Sequence, residues 1–464
     1  MNGKLSSDLS QMDAIFEETL REAKSFLAKL PSRVVSHSDL AEQKPNALPQ
    51  EGIGASQTLR LFKDCFDPLL VASGGPRYWG YVTGGATPAS LLGDWLASTY
   101  DQNTQTMNGE GDISGRIEKE TIQLLLDLFQ LPKSFLGGFV TGATMSNFTG
   151  LAVGRQWLGR KLGRDIAKQG ICEPLTILTA NAHSSAVKSL AMLGIGRDAI
   201  QEVAIASGNR EAICLTDLKE KIASLEGKPF ILISSAGTVN TVDFDDFRAI
   251  AKLKEEHHFW WHIDAAFGAF AACSPQTRHL IDGWESADSI TIDCHKWLNV
   301  PYDSAIFLVR NEHRHLQVET FQNSSAPYLG DPLENFNYLN FLPENSRRLR
   351  ALPTWFSLMA YGKKGYQDIV DNCVSIAKKL GDFIEASPEF KLLAPVRLNT
   401  VCFKPNLVDS SEFLKRLNAS GRVFMTATRY QGESGVRAAL VNWRTTDTDL
   451  AIAIEEIQKA LKES

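Results

Sequence analysis

Short apolar segments alternate with amphipathic helical segments over residues 113–310, and this alternation constrains the fold more than any other feature of the chain. Alternating strands and helices predict a mostly parallel sheet with helices on both faces. Ligands of such folds bind beyond the carboxyl ends of the strands, so we expect the functional residues there. The pattern predicts seven strands, at 137–140, 175–179, 202–205, 230–234, 260–264, 289–292 and 305–309.

The chain has 464 residues, more than one hydrophobic core usually holds, so we expect more than one domain. The pattern predicts an N-terminal helical segment (1–72), a large α/β domain (73–353) and a smaller C-terminal α+β domain (354–464). An amphipathic helix predicted at 13–30 packs either on the chain's own core or on a neighbouring subunit. The polar segment 321–346 is long for a loop, which is typical of functional or disordered segments.

The composition excludes several classes of protein. A net charge of −6 without a basic stripe argues against nucleic-acid binding. No apolar run is long enough to span a bilayer, and the N-terminus does not have the pattern of a secretory signal. The seven cysteines are scattered and lack CxxC spacing, which argues against a disulfide framework or a zinc site. We therefore expect a cytoplasmic protein without a bound metal.

A lysine and an aspartate stand out because each directly follows or ends an apolar strand. Lys296 lies between His295 and Trp297. Burying an ammonium group without a partner is costly, and one reason to do so is to make a nucleophile that forms a Schiff base. The alternative is an exposed residue at a strand end. Asp264 ends the strand 260–264, where it either pairs with a cation, such as a protonated ring nitrogen, or caps the next segment.

Three further segments follow predicted strands. The small residues of 141–147 open a helix, so their backbone N–H groups either approach a phosphate or form a simple N-cap turn. His183 either stacks on an aromatic ligand and transfers protons or caps its helix. Thr238 offers a hydroxyl group. A phosphate site, a histidine, a carboxylate and a lysine on successive strand ends are the set that pyridoxal phosphate needs.

Five segments carry a family resemblance: NAHSSAVKS, SSAGTVNTVDFDDF, HIDAAFGAF, DCHKWLNVPYD and SRRLRALPTWFSLMAYG. With them the chain resembles the pyridoxal-phosphate-dependent group II amino-acid decarboxylases, which include the aromatic-amino-acid, histidine and glutamate enzymes. The resemblance covers residues 60–445. It implies a large α/β domain of fold type I with a mostly parallel central sheet, and a smaller C-terminal α+β domain. It also implies a homodimer with active sites at the subunit interface.

The resemblance implies roles for individual residues. Lys296 would form the Schiff base with the cofactor, Asp264 would pair with the pyridine nitrogen and His183 would stack on the ring. Ala143 and Thr144 would hold the phosphate. The full set of implied cofactor contacts is Ala143, Thr144, His183, Thr238, Asp264, Ala266, Asp293, His295 and Lys296.

The implied reaction is decarboxylation of an L-amino acid to the amine and carbon dioxide. The 321–346 loop would close over the site, and Tyr328 matches the loop tyrosine that protonates the carbanion in the aromatic enzymes. Two alternatives stay open. One is another reaction of the same cofactor, by an aminotransferase, a carbon–carbon lyase or an aldehyde-forming oxidative decarboxylase. The other is a non-catalytic scaffold that retains the fold.

The identity of the substrate stays open as well. Substrate contacts are implied for Thr83, Gly84 and His183, and a Thr-Gly pair at this place looks closer to the glutamate-type enzymes than to the aromatic ones. Residues 103–108 are expected to reach into the partner subunit's site. The arginines at 347–348 either bind a substrate carboxylate or make structural ion pairs.

Overall fold

The computed structural model describes residues 3–37, 46–105, 107, 112–323, 333 and 336–462. Its helices, in chain order, are α1 (Gly3–Ser10), α2 (Met12–Lys29), α3 (Ala55–Cys65), α4 (Pro88–Tyr100), α5 (Ser114–Phe129), α6 (Ala143–Lys161), α7 (Ile166–Gln169), α8 (Ser184–Met192), α9 (Leu215–Ser224), α10 (Phe247–Glu256), α11 (Arg314–Phe321), α12 (Ala351–Ala386), α13 (Ser410–Ala419) and α14 (Asp447–Lys462).

A seven-stranded sheet forms the centre of the large domain, in the order β1-β7-β6-β5-β4-β2-β3. Neighbours pair in parallel from β3 to β6, and β7 runs antiparallel to both β6 and β1. The predicted fold class, a mostly parallel sheet with a second, smaller domain, is confirmed. The strands are β1 (Phe135–Val140), β2 (Ile177–Thr179), β3 (Ile200–Glu202), β4 (Ile231–Ser235), β5 (Trp260–Asp264), β6 (Ser289–Asp293) and β7 (Ala305–Arg310).

All seven predicted strands are present, and the prediction for β3 is the least accurate. The apolar run predicts a strand at 202–205, but the observed strand is Ile200–Glu202. The next residues leave the sheet, because Ile205 forms a bridge with Ile213 and the backbone of 204–206 bonds to that of 212–214. A local hairpin therefore takes up the apolar residues that the sequence pattern assigned to the sheet.

The sheet is buried on both faces because its strands carry apolar residues in both directions. Successive residues of a strand point to opposite faces. In β7, Ile306 and Leu308 pack with one core cluster, which includes side chains of α5, α10 and α12. Phe307 and Val309 pack with the other, which includes α6, α8 and α11. This two-sided burial leaves the strand ends as the edge of the sheet where polar groups gather.

The C-terminal part of the chain forms a second sheet, which is antiparallel and has the order β10-β11-β9-β8. Helix α12 joins the two parts, and the predicted domain boundary at 353/354 falls within it. That boundary stays a prediction. At Gly362, α12 adopts φ of 58°, which places a kink in the connecting helix. The strands are β8 (Phe390–Leu392), β9 (Thr400–Pro405), β10 (Thr426–Tyr430) and β11 (Glu433–Ala439).

The N-terminal helices lie on the outside of the molecule. The amphipathic helix predicted at 13–30 is present as α2, but none of the residues of α1, α2 or α3 is buried. Phe26 and Leu27 at the end of α2 pack against a small cluster of Leu30, Val35 and Ala72, whereas Phe16 and Leu20 earlier in the helix are exposed. None of the helices in the described part of the chain combines the length and apolar character needed to cross a bilayer.

Candidate active site

A cavity of about 550 Å³ opens at the carboxyl edge of the large sheet. Its walls come from the segments that follow β1, β2, β4, β5 and β6, from Tyr81 and Val82 ahead of α4, and from Arg437 on β11. The volume lies within the range of small-molecule sites. All nine residues predicted to contact a cofactor line it: Ala143, Thr144, His183, Thr238, Asp264, Ala266, Asp293, His295 and Lys296.

Lys296 projects into the cavity from the turn after β6. Its Nζ lies 5.4 Å from the centre of the Phe267 ring and 3.9 Å from Asp293 Oδ2. Gly84 packs against the backbone of this turn and donates its N–H to the His295 carbonyl at 3.3 Å. A Cβ atom at position 84 would lie 1.7 Å from the Lys296 carbonyl oxygen, so only glycine allows this contact. The close approach fixes the backbone that carries the lysine.

Asp264 ends β5 and keeps its carboxylate inside the protein, with 7% of the residue exposed. Its Oδ2 accepts a hydrogen bond from Asn147 Nδ2 at 2.9 Å, and its Oδ1 accepts one from the Ala266 N–H at 3.2 Å. These donors satisfy a buried anion only in part, because a carboxylate has about four acceptor positions. A cation in the cavity would be stabilised beside it.

His183 is both a helix cap and a cavity residue, so its two sequence interpretations are compatible. Its Nδ1 accepts the Ser185 N–H at 3.2 Å and lies 2.7 Å from Ser185 Oγ. The ring borders the cavity, and the surrounding walls bury it in part. This burial lowers the pKa of His183, an effect that Asp264 opposes and Lys296 and Arg437 reinforce. The ring is therefore neutral at neutral pH and suited to stacking.

The N-terminus of α6 faces the same cavity. The helix begins at Ala143 after Gly142, and no side chain of the first turn caps it. The Ala143 N–H contacts Asp293 Oδ2 at 3.3 Å. His295 lies 2.8 Å from Asp293 through its Nδ1 and stacks on Tyr302 with 4.1 Å between ring centres. Helix N–H groups beside an imidazole form a site that suits a phosphate group.

Two residues of the site were missed by the sequence reasoning. Arg437 is 8% exposed and donates from Nη1 to the Val239 carbonyl at 2.7 Å. Its Nε has no hydrogen-bond partner among the described residues, and burial lowers the pKa of the guanidinium. Glu211 lies behind the cavity wall and accepts hydrogen bonds from Asn181 and from Thr238. An arginine inside the apolar strand β11 was a usable signal, whereas Glu211 had none.

Of the three predicted substrate contacts, His183 lines the cavity and the other two do not. Thr83 and Gly84 lie beside the cavity-lining pair Tyr81 and Val82 but are not part of the wall, so their contact with substrate stays a prediction. Tyr328 lies outside the described residues. Residue 108, in the segment expected to reach the partner subunit, also lies outside the described residues.

The arginines at 347–348 are structural. Arg347 is fully buried and donates from Nη2 to Glu118 at 2.7 Å, while Arg348 pairs with Asp94. The second of the two sequence interpretations, structural ion pairs, is therefore confirmed. Asn103, in the segment expected to reach the partner subunit, accepts the Arg347 N–H through its Oδ1 at 2.9 Å.

Pyridoxal phosphate fits the groups that line the cavity. A lysine amine, a buried carboxylate that lacks a cation, a neutral imidazole and a helix N-terminus all reach one cavity of suitable volume. Each matches one requirement of the cofactor, namely covalent attachment, a partner for the ring nitrogen, a stacking surface and a phosphate site.

Comparisons with known proteins agree with this geometry. Residues 38–406 match the model of the pyridoxal-dependent decarboxylase conserved domain. The aromatic-L-amino-acid decarboxylase of Bacillus atrophaeus is 28% identical over 94% of this chain and 91% of its own length. A phenylacetaldehyde synthase of Arabidopsis thaliana is 23% identical, over 79% and 77%. The crystal structure of Oryza sativa TDC with PLP and tryptamine superposes with a TM-score of 0.88 at 20% identity, covering 98% of both chains.

His262 lies directly behind the Asp264 carboxylate on β5, and it generates a prediction about pH. Complete burial lowers its pKa to about 4, with Asp264 opposing the shift. The unfolded chain binds a proton at this residue near pH 6.5, whereas the folded chain does not until about pH 4. The contribution to stability is therefore full above pH 6.5, and ~3 kcal/mol is lost as the pH falls to 4.

We predict that His262→Asn will flatten the dependence of the unfolding free energy on pH between 6.5 and 4. Denaturant titrations of wild type and variant across this range measure the slope. The exposed His257→Asn is the matched control and should keep the wild-type slope. A His262→Asn protein with the wild-type slope would contradict the assignment of a neutral, buried ring.

Proposed function

The chain belongs to the pyridoxal-dependent decarboxylase family, and from this membership we propose how the residues of its cavity are used. The enzyme uses pyridoxal phosphate to convert an L-amino acid into the corresponding amine and carbon dioxide. When bound, the cofactor supplies an electron sink for the electron pair that remains when the carboxylate leaves. The observation that carries the proposal is the presence of Lys296, Asp264 and His183 on the walls of one cavity.

The protein's own groups have separate tasks in this proposal. Lys296 would hold the cofactor covalently through its amine. Asp264 stabilises a protonated ring nitrogen, because its buried carboxylate has no other cation beside it among the described side chains. His183 packs on the ring as a neutral imidazole. The N-terminus of α6, with Ala143 and Thr144, would hold the phosphate with help from His295.

The remaining predicted contacts complete the cofactor site. Thr238 and Ala266 follow β4 and β5 and would border the ring, while Asp293 and His295, 2.8 Å apart, would lie at the phosphate end. Glu211 fixes the Thr238 hydroxyl at 2.6 Å, so the threonine has a defined direction.

Arg437 is proposed to bind a carboxylate of the substrate. Arg437 lines the cavity, and a largely buried guanidinium is costly unless an anion completes its hydrogen bonds. The small domain supplies this group, so the substrate is held between the two parts of the chain. One relative is an aromatic-L-amino-acid decarboxylase, and the α-carboxylate of an aromatic amino acid would complete the hydrogen bonds of Arg437.

Tyr328 is proposed to return a proton to the Cα position of the product, which gives the amine. An aldehyde product is the second candidate, because a phenylacetaldehyde synthase is among the relatives. Analysis of the products of wild type and Tyr328→Phe separates the two, since only a protonating tyrosine predicts that the variant loses amine formation.

We predict that the holoenzyme releases carbon dioxide from at least one member of a panel of the standard amino acids, 2,4-diaminobutyrate and cysteine sulfinate. Lys296→Ala should abolish this release, because covalent attachment of the cofactor is lost. Lys415→Ala, which changes an exposed lysine of α13, is the matched control and should keep full activity. Carbon dioxide release by Lys296→Ala would refute the proposed role, and scoring amine and aldehyde in the same assay defines the reaction.

We predict that Arg437→Met raises the KM for the substrate by about 10- to 100-fold, the usual effect of removing a hydrogen bond to a charged group. Steady-state kinetics at saturating cofactor measure it. Arg429→Met, which changes an exposed arginine on the neighbouring strand β10, should leave KM unchanged. An unchanged KM for Arg437→Met would assign this arginine to domain packing alone.

A homodimer is proposed from the distribution of exposed apolar side chains. In the described part of the chain 22 large hydrophobic residues are exposed, and 15 of them lie between positions 5 and 100. They include Phe16 and Leu20 of α2 and Trp95 of α4. Exposed apolar surface of this extent marks an interaction site, and a second copy of the chain would bury it. The segment around residues 103–108 would then approach the partner's cavity.

We predict that Phe16→Asp combined with Leu20→Asp converts the dimer into a monomer, because the two positions share one face of α2 and charges there would be buried in the interface. Light scattering after size exclusion measures the mass. Leu407→Asp, at a position 86% exposed and outside the N-terminal segment, should remain dimeric. A wild-type protein that is monomeric at every concentration would refute the proposal.

A cytoplasmic location is also proposed. All seven cysteines are free, which suits a reducing compartment. Recovery of the protein in an oxidising compartment after cell fractionation would contradict it.

A further inference from the structure

A chain of hydrogen bonds through the buried Asn147 connects the two catalytic candidates on the cavity wall, Asp264 and His183. On one side Asn147 Nδ2 donates to Asp264 at 2.9 Å. On the other side the same nitrogen donates to Ser185 Oγ at 3.0 Å, and Ser185 Oγ lies 2.7 Å from His183 Nδ1. Asn147 is completely buried on α6. It is not part of the cavity wall, so it acts through these neighbours.

The direction of each hydrogen bond in this network follows from the donor at its far end, which is Trp260 Nε1. Trp260 Nε1 can only donate, and it donates to Ser289 Oγ at 3.0 Å. The Ser289 proton is then free for His262 Nδ1, which is 2.8 Å away. A neutral His262 that accepts at Nδ1 carries its proton on Nε2, and that nitrogen lies 2.8 Å from Asn147 Oδ1. The burial that lowers the pKa of His262 to about 4 keeps the ring neutral at neutral pH.

This sequence of donors fixes the orientation of the Asn147 amide. With Oδ1 accepting from His262, the Nδ2 hydrogens point towards Asp264 and Ser185. The flipped amide would place an oxygen 2.9 Å from the Asp264 carboxylate, where two acceptors repel each other. The Ser185 hydroxyl therefore accepts from Asn147 and gives its proton to His183 Nδ1. The His183 proton is left on Nε2, the ring nitrogen that α8 does not engage.

Space for this arrangement is reserved by the sequence of α6. Gly150 lies one turn after Asn147, and a Cβ atom there would lie 2.9 Å from Cε1 of His262. A larger residue at position 150 would displace the imidazole from the amide. The helix that presents its N-terminus to the cavity thus also positions the groups behind Asp264.

We propose that Asn147 is a positioning residue for the decarboxylation. Its amide holds Asp264 as an acceptor facing the cavity, and through Ser185 Oγ it supports the tautomer of His183 that the Ser185 N–H already favours. The proposal rests on the roles of Asp264 and His183 proposed above. Neither residue contacts the other directly, so a single amide coordinates the group that stabilises the ring nitrogen with the group that stacks on the ring.

Two variants separate the arms of the chain. Asn147→Asp keeps the shape but replaces the donor to Asp264 by an oxygen, so two buried carboxyl groups compete for one proton. We expect the affinity of the apoprotein for pyridoxal phosphate to fall about tenfold or more and kcat to fall about 100-fold, with KM changed less than threefold. Ser185→Ala cuts only the arm to His183, and the Ser185 N–H still caps the ring. We expect a fall in kcat of about tenfold and an unchanged affinity for the cofactor.

Asn399→Asp is the matched control. Asn399 is as deeply buried in the small domain and donates from Nδ2 to the Leu440 carbonyl at 3.1 Å. The control should lower the thermal midpoint, as burial of a carboxylate requires, without changing cofactor affinity or kcat in the folded fraction. Because both arms pass through Asn147, the double variant Asn147→Asp/Ser185→Ala should lose less than the product of the two single losses.

The decisive measurement is a fluorescence titration of each apoprotein with pyridoxal phosphate, followed by steady-state kinetics of the reconstituted enzymes. Weakened cofactor binding and reduced kcat in Asn147→Asp, with neither in Asn399→Asp, support the proposal. An Asn147→Asp enzyme with wild-type affinity and wild-type kcat overturns it. If Asn147→Asp does not fold, an unchanged kcat in Ser185→Ala overturns the coupling to His183. Carbon dioxide release by Lys296→Ala would instead refute the proposed function itself, so the two failures are distinguishable.

Discussion

The organisation of the site depends on one buried carboxylate. Asp264 lies at the end of a strand whose five residues are all buried, and in the described part of the chain its carboxylate accepts hydrogen bonds from Asn147 and from the backbone of Ala266. Such a group is unfavourable in an empty cavity and becomes favourable when a cation binds beside it. The fold therefore holds an electrostatic preference for a positively charged ring before any ligand arrives.

The parallel sheet explains why the other groups meet this carboxylate. The carboxyl ends of parallel strands lie at one edge, so segments far apart in sequence reach the same cavity. Lys296 follows the neighbouring strand β6, and Gly84 packs against its backbone so closely that no side chain fits between them. The small domain adds Arg437 from the opposite side. Arg437 lies on β11 and donates to the Val239 carbonyl. This hydrogen bond connects β11 to the turn that carries Thr238.

Most of the sheet and of the cofactor wall could be predicted from the sequence, because both rest on local patterns. The apolar runs predicted the seven strands, and the polar residues that follow strands predicted the location of the cavity. The features that the sequence did not predict depend on three-dimensional packing. The strand β3 ends early because a hairpin takes its apolar residues, and Arg437 reaches the cavity through the packing of the small domain against the large one. Asn147 was inside a predicted segment, but its task depends on His262, which is distant in sequence.

We propose that Asp264 holds the ring nitrogen of the cofactor in its protonated form. Nitrogen-15 magnetic resonance of the enzyme reconstituted with ring-labelled pyridoxal phosphate measures this protonation directly. The account predicts a protonated ring nitrogen in the wild-type enzyme at neutral pH and an unprotonated one in Asp264→Asn. An unprotonated ring nitrogen in the wild-type enzyme would contradict it.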